Sequence, residues 1–454
     1  MQVMQAPNNA IVTWKRLIAL ALPMAGTQFV NVASGFFCMA MLASLGHQVL
    51  SASALIFSTQ LAVMVSGMSL LFSLSVLVGH AYGAKEYLSI GTYLQQCWVL
   101  AVLIGIPMMV FFWNIGAILH HFGEPESLID TITHYFHAFM WAVIPGFLST
   151  ANMQFGYALH KKKLMVMTSF VGMVVLVASA YVLIFGKLGL PALGVVGLAH
   201  ATFLQYTFFF VVTTSYYYLE PGFKKYELFR FRVHQHLDHF IKMIKIGWPI
   251  SVQMGGEMLS FFVSGIMMGW LGVNALAAFQ IVNQYYFLII IPVFSLSQAS
   301  GILVGQAMGG KQLHEVAVLS KVTLLTVLGV SSLIAILFMG FPARLASVYL
   351  DVANPLNALT LHYTVMIFTI IAVSQCFDNV RNALIGILRG MFDTRFAMFA
   401  SVFSIWVFGM PLTYFLAFTL HLGVPGFVMG GLLGMLVGVV MMFFRWRVRI
   451  LHAK

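Results

Sequence analysis

The chain has 454 residues, of which 61% are hydrophobic and only 8% charged, with a net charge of +11 at pH 7 and a mean hydropathy of +0.95. So few polar side chains cannot cover a globule of this length, which excludes a water-soluble protein. The excess of Lys and Arg is not gathered into one stripe, as a nucleic-acid-binding face would require, but follows alternate connections between apolar stretches.

Apolar stretches of about 20 residues or more predict membrane-spanning helices. In chain order there are twelve, at 17–45, 52–79, 95–119, 136–159, 164–186, 194–219, 246–271, 276–304, 318–341, 360–388, 397–420 and 425–444. The first follows Lys15-Arg16 as a signal peptide would, but it is too long and leads into eleven further spans, so it is predicted to stay as an uncleaved helix. Pro23 and Pro249 are read as first-turn prolines of the first and seventh helices, where a missing N–H is harmless, with Pro23 also a hinge candidate.

Charge then orients the spans. Lys15, Arg16, Lys85, Lys161, Lys162, Lys163, the 224–245 segment, Lys311, Lys321, Arg389, Arg395, Arg445, Arg447 and Arg449 fall on alternate connections, whereas the opposite connections carry only Lys187 and Arg344. By the positive-inside rule both termini are expected in the cytoplasm and the 120–134 loop, with Glu124, Glu126 and Asp130, outside. A multi-pass protein of a bacterial inner (cytoplasmic) membrane is the expectation. Cys38, Cys97 and Cys376 are odd in number and lie in apolar segments, so no disulfide framework is expected.

The chain also repeats itself at an offset of 226 residues. Pro23 matches Pro249, Ser34 matches Ser260, Leu45-Gly46 matches Leu271-Gly272, and Val78-Gly79-His80-Ala81-Tyr82-Gly83-Ala84-Lys85 matches Val304-Gly305-Gln306-Ala307-Met308-Gly309-Gly310-Lys311. Six spans separate the copies, so both have the same orientation, a parallel repeat of the kind that transporters use for alternating access. The expected architecture is all-α, with twelve transmembrane helices in two six-helix lobes. These are an N-lobe over 1–220, a basic cytoplasmic linker over 221–245, and a C-lobe over 246–454.

Of twelve carboxylates, only Glu257 and Asp378 sit near the middle of spans. An ionised carboxylate at bilayer depth costs roughly 2.5–3.5 kcal/mol on insertion scales, so such residues usually face a cavity and bind or relay something. A neutral acid hydrogen-bonded between helices is the structural alternative for Glu257. Helical spacing puts Gln253, Met254, Ser260 and Phe261 on the Glu257 face, with Met258 adjacent in sequence. Asp378 shares a polar stripe with Ser374, Arg381 and Asn382. Arg381 either pairs with Asp378 one turn away or snorkels to the interface. Gln280, Asn283, Gln284 and Tyr285, beside Tyr286, are further cavity candidates, with interhelical hydrogen bonding as the alternative. Asn31 stands in the first repeat where Glu257 stands in the second. The His234-x-His236-x-x-His239 spacing is read as a by-product of a His-rich basic linker. Gly430, Gly434 and Gly438 are read as close helix packing. No phosphate-binding loop, nucleophile elbow or His-Glu-x-x-His motif occurs, so neither ATP-driven pumping nor enzymatic catalysis is expected.

These motifs resemble the multidrug and toxic compound extrusion (MATE) family. The resemblance rests on the paired Val-Gly-x-Ala-x-Gly-x-Lys sequences, on Gly247-Trp248-Pro249 with Glu257 eight residues on, and on Phe377-Asp378 followed by Gly386-x-Leu388-Arg389-Gly390-x-x-Asp393-Thr394. It covers nearly the whole chain and looks closest to the NorM branch. It implies efflux of organic cations in exchange for Na+ or H+, with Glu257 and Asp378 as the cation site, and as metal ligands only if the ion is Na+. No other cofactor and no nucleic acid is implied. The first-helix aspartate common in the family is Asn31 here, so no ionic site is expected in the N-lobe. Two other functions fit less well. A lipid-linked oligosaccharide flippase of the same superfamily would need a cavity lined by Lys and Arg, and a membrane transferase would need its acids near an interface.

Overall fold

The computed structural model of the protein describes residues 10–121, 126–230, 237–352 and 354–451. In chain order the helices are α1 (Ala10–Ala43), α2 (His47–Leu70), α3 (Ser73–Gly83), α4 (Tyr87–Trp113), α5 (Ile115–His121), α6 (Glu126–Ala158), α7 (Lys162–Phe185) and α8 (Val195–Leu219), followed by a 3₁₀ turn at Pro221–Tyr226. The second half holds α9 (Leu237–Trp270), α10 (Val273–Gly309), α11 (Leu313–Gly340), α12 (Pro342–Ala346), α13 (Ala358–Gly390), α14 (Thr394–Val402), α15 (Met410–Tyr414) and α16 (Gly423–Leu451). No strand occurs among the described residues.

Eleven of these segments are long and apolar enough to cross a bilayer. The twelfth long helix, α6, is diluted by Ser149, Thr150, Asn152 and Gln154, all of them buried. The chain is therefore an integral, multi-pass membrane protein. Exposed positions on these helices carry bare apolar side chains, such as Leu22, Phe36 and Leu325 at 69–71% exposure, a surface suited to lipid and not to water. Many hydroxyls within the spans bond back to their own helices. Ser34, Ser53, Ser66, Thr168, Thr202 and Thr364 each donate to the carbonyl four residues back, which removes the cost of a bare hydroxyl in lipid.

Two predicted spans are interrupted. The second is α2 and α3 joined through a turn at Leu71–Phe72, and the eleventh contains π-helical turns at Phe403–Gly409 and Phe415–Thr419 on either side of α15. Pro411 lies in α15 and cannot donate a backbone hydrogen bond, which favours such a departure from regular α geometry.

The repeat is written into the backbone. Lys85 and Lys311 have φ 62° and 55°, His160 and Phe392 have 59° and 60°, and Gly46 and Gly272, which precede α2 and α10, have 115° and 118°. Gly is needed at the last pair because a Cβ disfavours that region. The separation grows from 226 at Lys85 and Lys311 to 232 at the ends of α6 (Ala158) and α13 (Gly390), so the extra residues lie in the connection preceding α13.

The chain divides into two compact units. One takes Pro23–Ser251 and the other takes the remainder, so α1 and α9 are each shared by both. In the first unit α6 packs on α2, α4 and α8. In the second, α13 packs on α10, α11 and α16. The prolines differ from the first-turn reading: Pro23 and Pro249 lie well inside α1 and α9, because the helices begin before the lipid-length stretch, at Ala10 and Leu237. Pro23 sits at the point where α1 passes from one unit to the other, and Pro249 lies close to the same point in α9.

Candidate functional site

Within the unit that contains Val252–Lys454, a cavity of about 160 Å³ opens among α9, α10, α13, the π-helical segment after α14, and α16. Its charged lining is Glu257, Asp378 and Arg381. Each comes from local helical spacing: Glu257 follows Gln253 by one turn on α9, and Asp378, Arg381 and Asn382 share one face of α13.

Arg381 is the hub. It is only 2% exposed, and all three guanidinium nitrogens are used. Nε and Nη2 donate to Asp378 Oδ1 at 3.0 and 2.7 Å, and Nη1 donates to Glu257 Oε1 at 2.7 Å and to Ser401 Oγ at 3.2 Å. It does not snorkel. The other Asp378 oxygen accepts from Tyr286 Oη and, at 3.3 Å, from Asn382 Nδ2. Four donor atoms therefore occupy both carboxylate oxygens of Asp378. Glu257 is less occupied. Its Oε1 also accepts from Gln253 Nε2 at 3.1 Å, its side chain is 17% exposed, and Oε2 has no partner among the described residues. Gln253 is held in turn by a second buried guanidinium, since Arg389 Nη2 donates to its Oε1 at 3.0 Å.

Glycines make room for this cluster. A Cβ on Gly438 of α16 would lie 3.0 Å from Arg381 Cδ and 2.8 Å from Ser404 Oγ, and one on Gly434 would lie 2.8 Å from Gly409 Cα. The π-helical turn presents Ser404 and Gly409 to the cavity and is tied to α9 by Trp406 Nε1 donating to Gly256 O at 3.1 Å.

The structure brings Glu257, Phe261, Asn283, Ser374, Asp378, Arg381 and Asn382 to one cavity. It does not bring the other C-lobe candidates there. Gln253 is buried behind Glu257, while Met254 and Met258 pack off the cavity wall. Gln280 and Gln284 are exposed and do not line the cavity that Asn283 lines. Tyr285 also turns away: its hydroxyl donates to Leu345 O at 2.9 Å and its ring packs edge-on against Phe338 and Phe368. The tyrosine on the site is its neighbour Tyr286. The spacing signal was present, because Tyr286 follows Asn283 by three residues and so shares its face. Ser401 and Ser404 carried no such signal. His234 and His236 lie outside the described residues, and the His239 ring packs against Tyr93. Among the described residues no three His, Cys, Asp or Glu side chains are grouped to hold a metal ion.

The other unit contains a cavity of about 350 Å³ built at equivalent positions. Asn31 occupies the place of Glu257, Gln60 that of Tyr286, and Ser149 that of Arg381 when α6 and α13 are matched from their C-terminal ends. Its lining carries amides, hydroxyls and the rings of Phe57, Phe72, Tyr135, Tyr206 and Phe209, and no formal charge. Tyr135 Oη donates to Gln60 Oε1 at 2.7 Å, and Asn31 Nδ2 reaches Gln28 Oε1 at 3.4 Å.

The twelve-helix repeat, with its charged cavity in one unit, is the fold of the MATE transporters, and by its family and relatives the chain is a membrane transporter, not an enzyme. The chain belongs to the MatE family, whose model matches residues 23–182 and 249–415. It is 27% identical over 435 residues to the "Probable multidrug resistance protein NorM" of Synechocystis sp., covering 95% of this chain and 94% of that one. It is 28% identical over 431 residues to the "Multidrug resistance protein NorM" of Burkholderia vietnamiensis, covering 95% and 93%. Among solved structures it is similar to the eukaryotic MATE transporter AtDTX14, with a TM-score of 0.84, 19% identity and 98% of both chains covered. It is also similar to the bent form of the Vibrio cholerae MATE transporter VcmN, with a TM-score of 0.84, 17% identity, and 98% and 97% covered.

Proposed function

We propose that the protein is a cation-coupled multidrug antiporter of a cytoplasmic membrane, which exports organic cations in exchange for Na+ or H+ by alternating access of its two repeats. The observation that carries this reading is the pair of carboxylates, Glu257 from α9 and Asp378 from α13, lining one cavity within the span. A carboxylate pair there attracts a cation in a low-dielectric setting, and the same place can serve a coupling ion in one state and a substrate in the other. Each ligand needs only a different affinity for the two arrangements of the protein. The relatives named as multidrug resistance proteins support the substrate class. With two carboxylates against one guanidinium, the lining has a formal charge of −1, which disfavours the phosphates of a lipid-linked sugar.

The test is dye efflux in inverted membrane vesicles, with a Na+ gradient or a pH gradient imposed one at a time. Ethidium should move in response to one of the two gradients and stop when Glu257 is replaced by Gln. Movement that ignores both gradients, or no movement beyond that of empty vesicles, would refute the antiporter reading.

A further inference from the structure

Two of the hydrogen bonds of Arg381 go to Asp378, which lies on its own helix and not across a helix interface. Beyond Asp378 it reaches Ser401 on α14 and Glu257, 124 residues away on α9, the latter across the ground that a free cation between the two carboxylates would occupy. Gly438 leaves the space for its stem, and at the equivalent place in the other repeat stands the neutral Ser149. We propose that Arg381 is a resident cation that sets the charge of the substrate, leaving room for one further positive charge at Glu257 and repelling a second. This rests on the transport reading of the site and adds to it a substrate class, the monovalent organic cation.

The geometry separates the two acids by role. Asp378 keeps the guanidinium through two hydrogen bonds to one oxygen, and its second oxygen is taken by Tyr286 and Asn382. Glu257 holds Arg381 by a single bond and retains a free oxygen at the cavity, beside the Phe261 and Tyr286 rings, whose centroids are 5.9 Å apart. An arriving cation can therefore take the Glu257 edge and the aromatic faces, loosening Nη1 while Asp378 still anchors the guanidinium. A second positive charge on the same ligand meets Arg381 with no unpaired carboxylate left to offset it.

Ethidium and propidium share one aromatic ring system and carry one and two positive charges. Their binding to the purified full chain, and their efflux, are compared in wild type, Arg381→Lys and Arg381→Gln. Wild type and Arg381→Lys should favour ethidium alike, and Arg381→Gln should raise the propidium-to-ethidium ratio by roughly tenfold or more, as expected from removing one charge at contact distance. An unchanged ratio in Arg381→Gln would overturn the proposal, as would a rise in Arg381→Lys equal to that in Arg381→Gln. If Arg381→Gln does not fold, wild type alone decides: bound ethidium should be displaced by monovalent tetraphenylphosphonium and far less by divalent paraquat, and equal displacement would overturn the proposal. A wild-type protein that binds with this charge preference yet exports neither dye under any gradient would refute the antiporter reading and leave the role of Arg381 standing.

Discussion

Glu257 and Asp378 are chemically alike, but their unequal hydrogen bonding predicts unequal consequences of losing charge. Removing one partner of a buried ion pair costs roughly 3–5 kcal/mol because the other charge is left uncompensated. Asp378→Asn strips Arg381 of its main anchor and should lower the thermal midpoint of the detergent-purified protein strongly. Glu257→Gln leaves that anchor in place and should lower it much less, while abolishing gradient-driven efflux. Asn31→Ala removes only an uncharged amide and should spare most transport, so equal loss from Asn31→Ala and Glu257→Gln at equal abundance would contradict a coupling role confined to the second repeat. Asp393, in the connection between α13 and α14, gives a pH signature. Burial pushes its carboxyl up, but hydrogen bonds and charge from Arg445 and Arg449, at 2.7 and 2.8 Å, outweigh it and hold the group below its ordinary value of 3.8. A lowered folded-state pKa stabilises the protein above the unfolded value, and the contribution is lost as pH falls through the folded one. The melting difference between wild type and Asp393→Asn should therefore be full at neutral pH and shrink below pH 3.8, and a difference that persists there unchanged would rule the linkage out.

The helix α13 reaches its neighbours through backbone contact, which ties the site to the packing of the unit. A Cβ on Gly386 would lie 2.1 Å from Ser297 O on α10, and one on Gly390 would lie 2.7 Å from Gly301 O. Ser297 Oγ in turn donates to Asn382 O at 2.6 Å, next to the cavity. Gly386→Ala must push α10 and α13 apart and should cost at least roughly 1–3 kcal/mol, seen as a lower thermal midpoint and less protein in the membrane. Gly329→Ala on α11, where nothing lies within 4 Å, should be neutral or stabilising by up to about 1 kcal/mol. Equal effects from the two substitutions would mean that helix propensity and not close approach governs α13. These contacts were partly legible. The four-residue spacing of Gly430, Gly434 and Gly438 pointed to close packing, but not to Gly438 lying against the stem of Arg381, since glycine spacing names a face and not what meets it.

At the scale of the whole molecule, the distribution of Lys and Arg predicts an orientation that can be checked directly. Asp130 and Lys163 are both exposed and lie in the first turns of α6 and α7, at ends expected on opposite sides of the membrane. In intact cells a membrane-impermeant maleimide should modify Asp130→Cys and spare Lys163→Cys, and the reverse pattern would invert the topology. Cys38 and Cys97 are buried, so their background labelling should be low. The charged cavity in one unit and the uncharged cavity in the other come from equivalent positions of one repeat, and they differ in volume, about 160 against about 350 Å³, as well as in formal charge.

Hydrophobic length and composition determined the membrane class and the succession of spans, because a bilayer enforces about 20 apolar residues per helix whatever the rest of the chain does, and matched residues at a fixed offset of 226 disclosed the repeat. Burial cost likewise singled out Glu257 and Asp378, since a carboxylate at mid-span needs a reason to be there. Helical spacing also allowed the Asp378 and Arg381 pair, which are three residues apart. Only the tertiary structure decided that Arg381 also reaches Glu257, that Tyr286 and not Tyr285 serves Asp378, that Gln280 and Gln284 turn outward, and that Pro23 and Pro249 lie deep within their helices. The physical reason is one of range. Periodicity and charge are local and read along a helix, whereas which face meets which neighbour is set by packing among helices far apart in the chain.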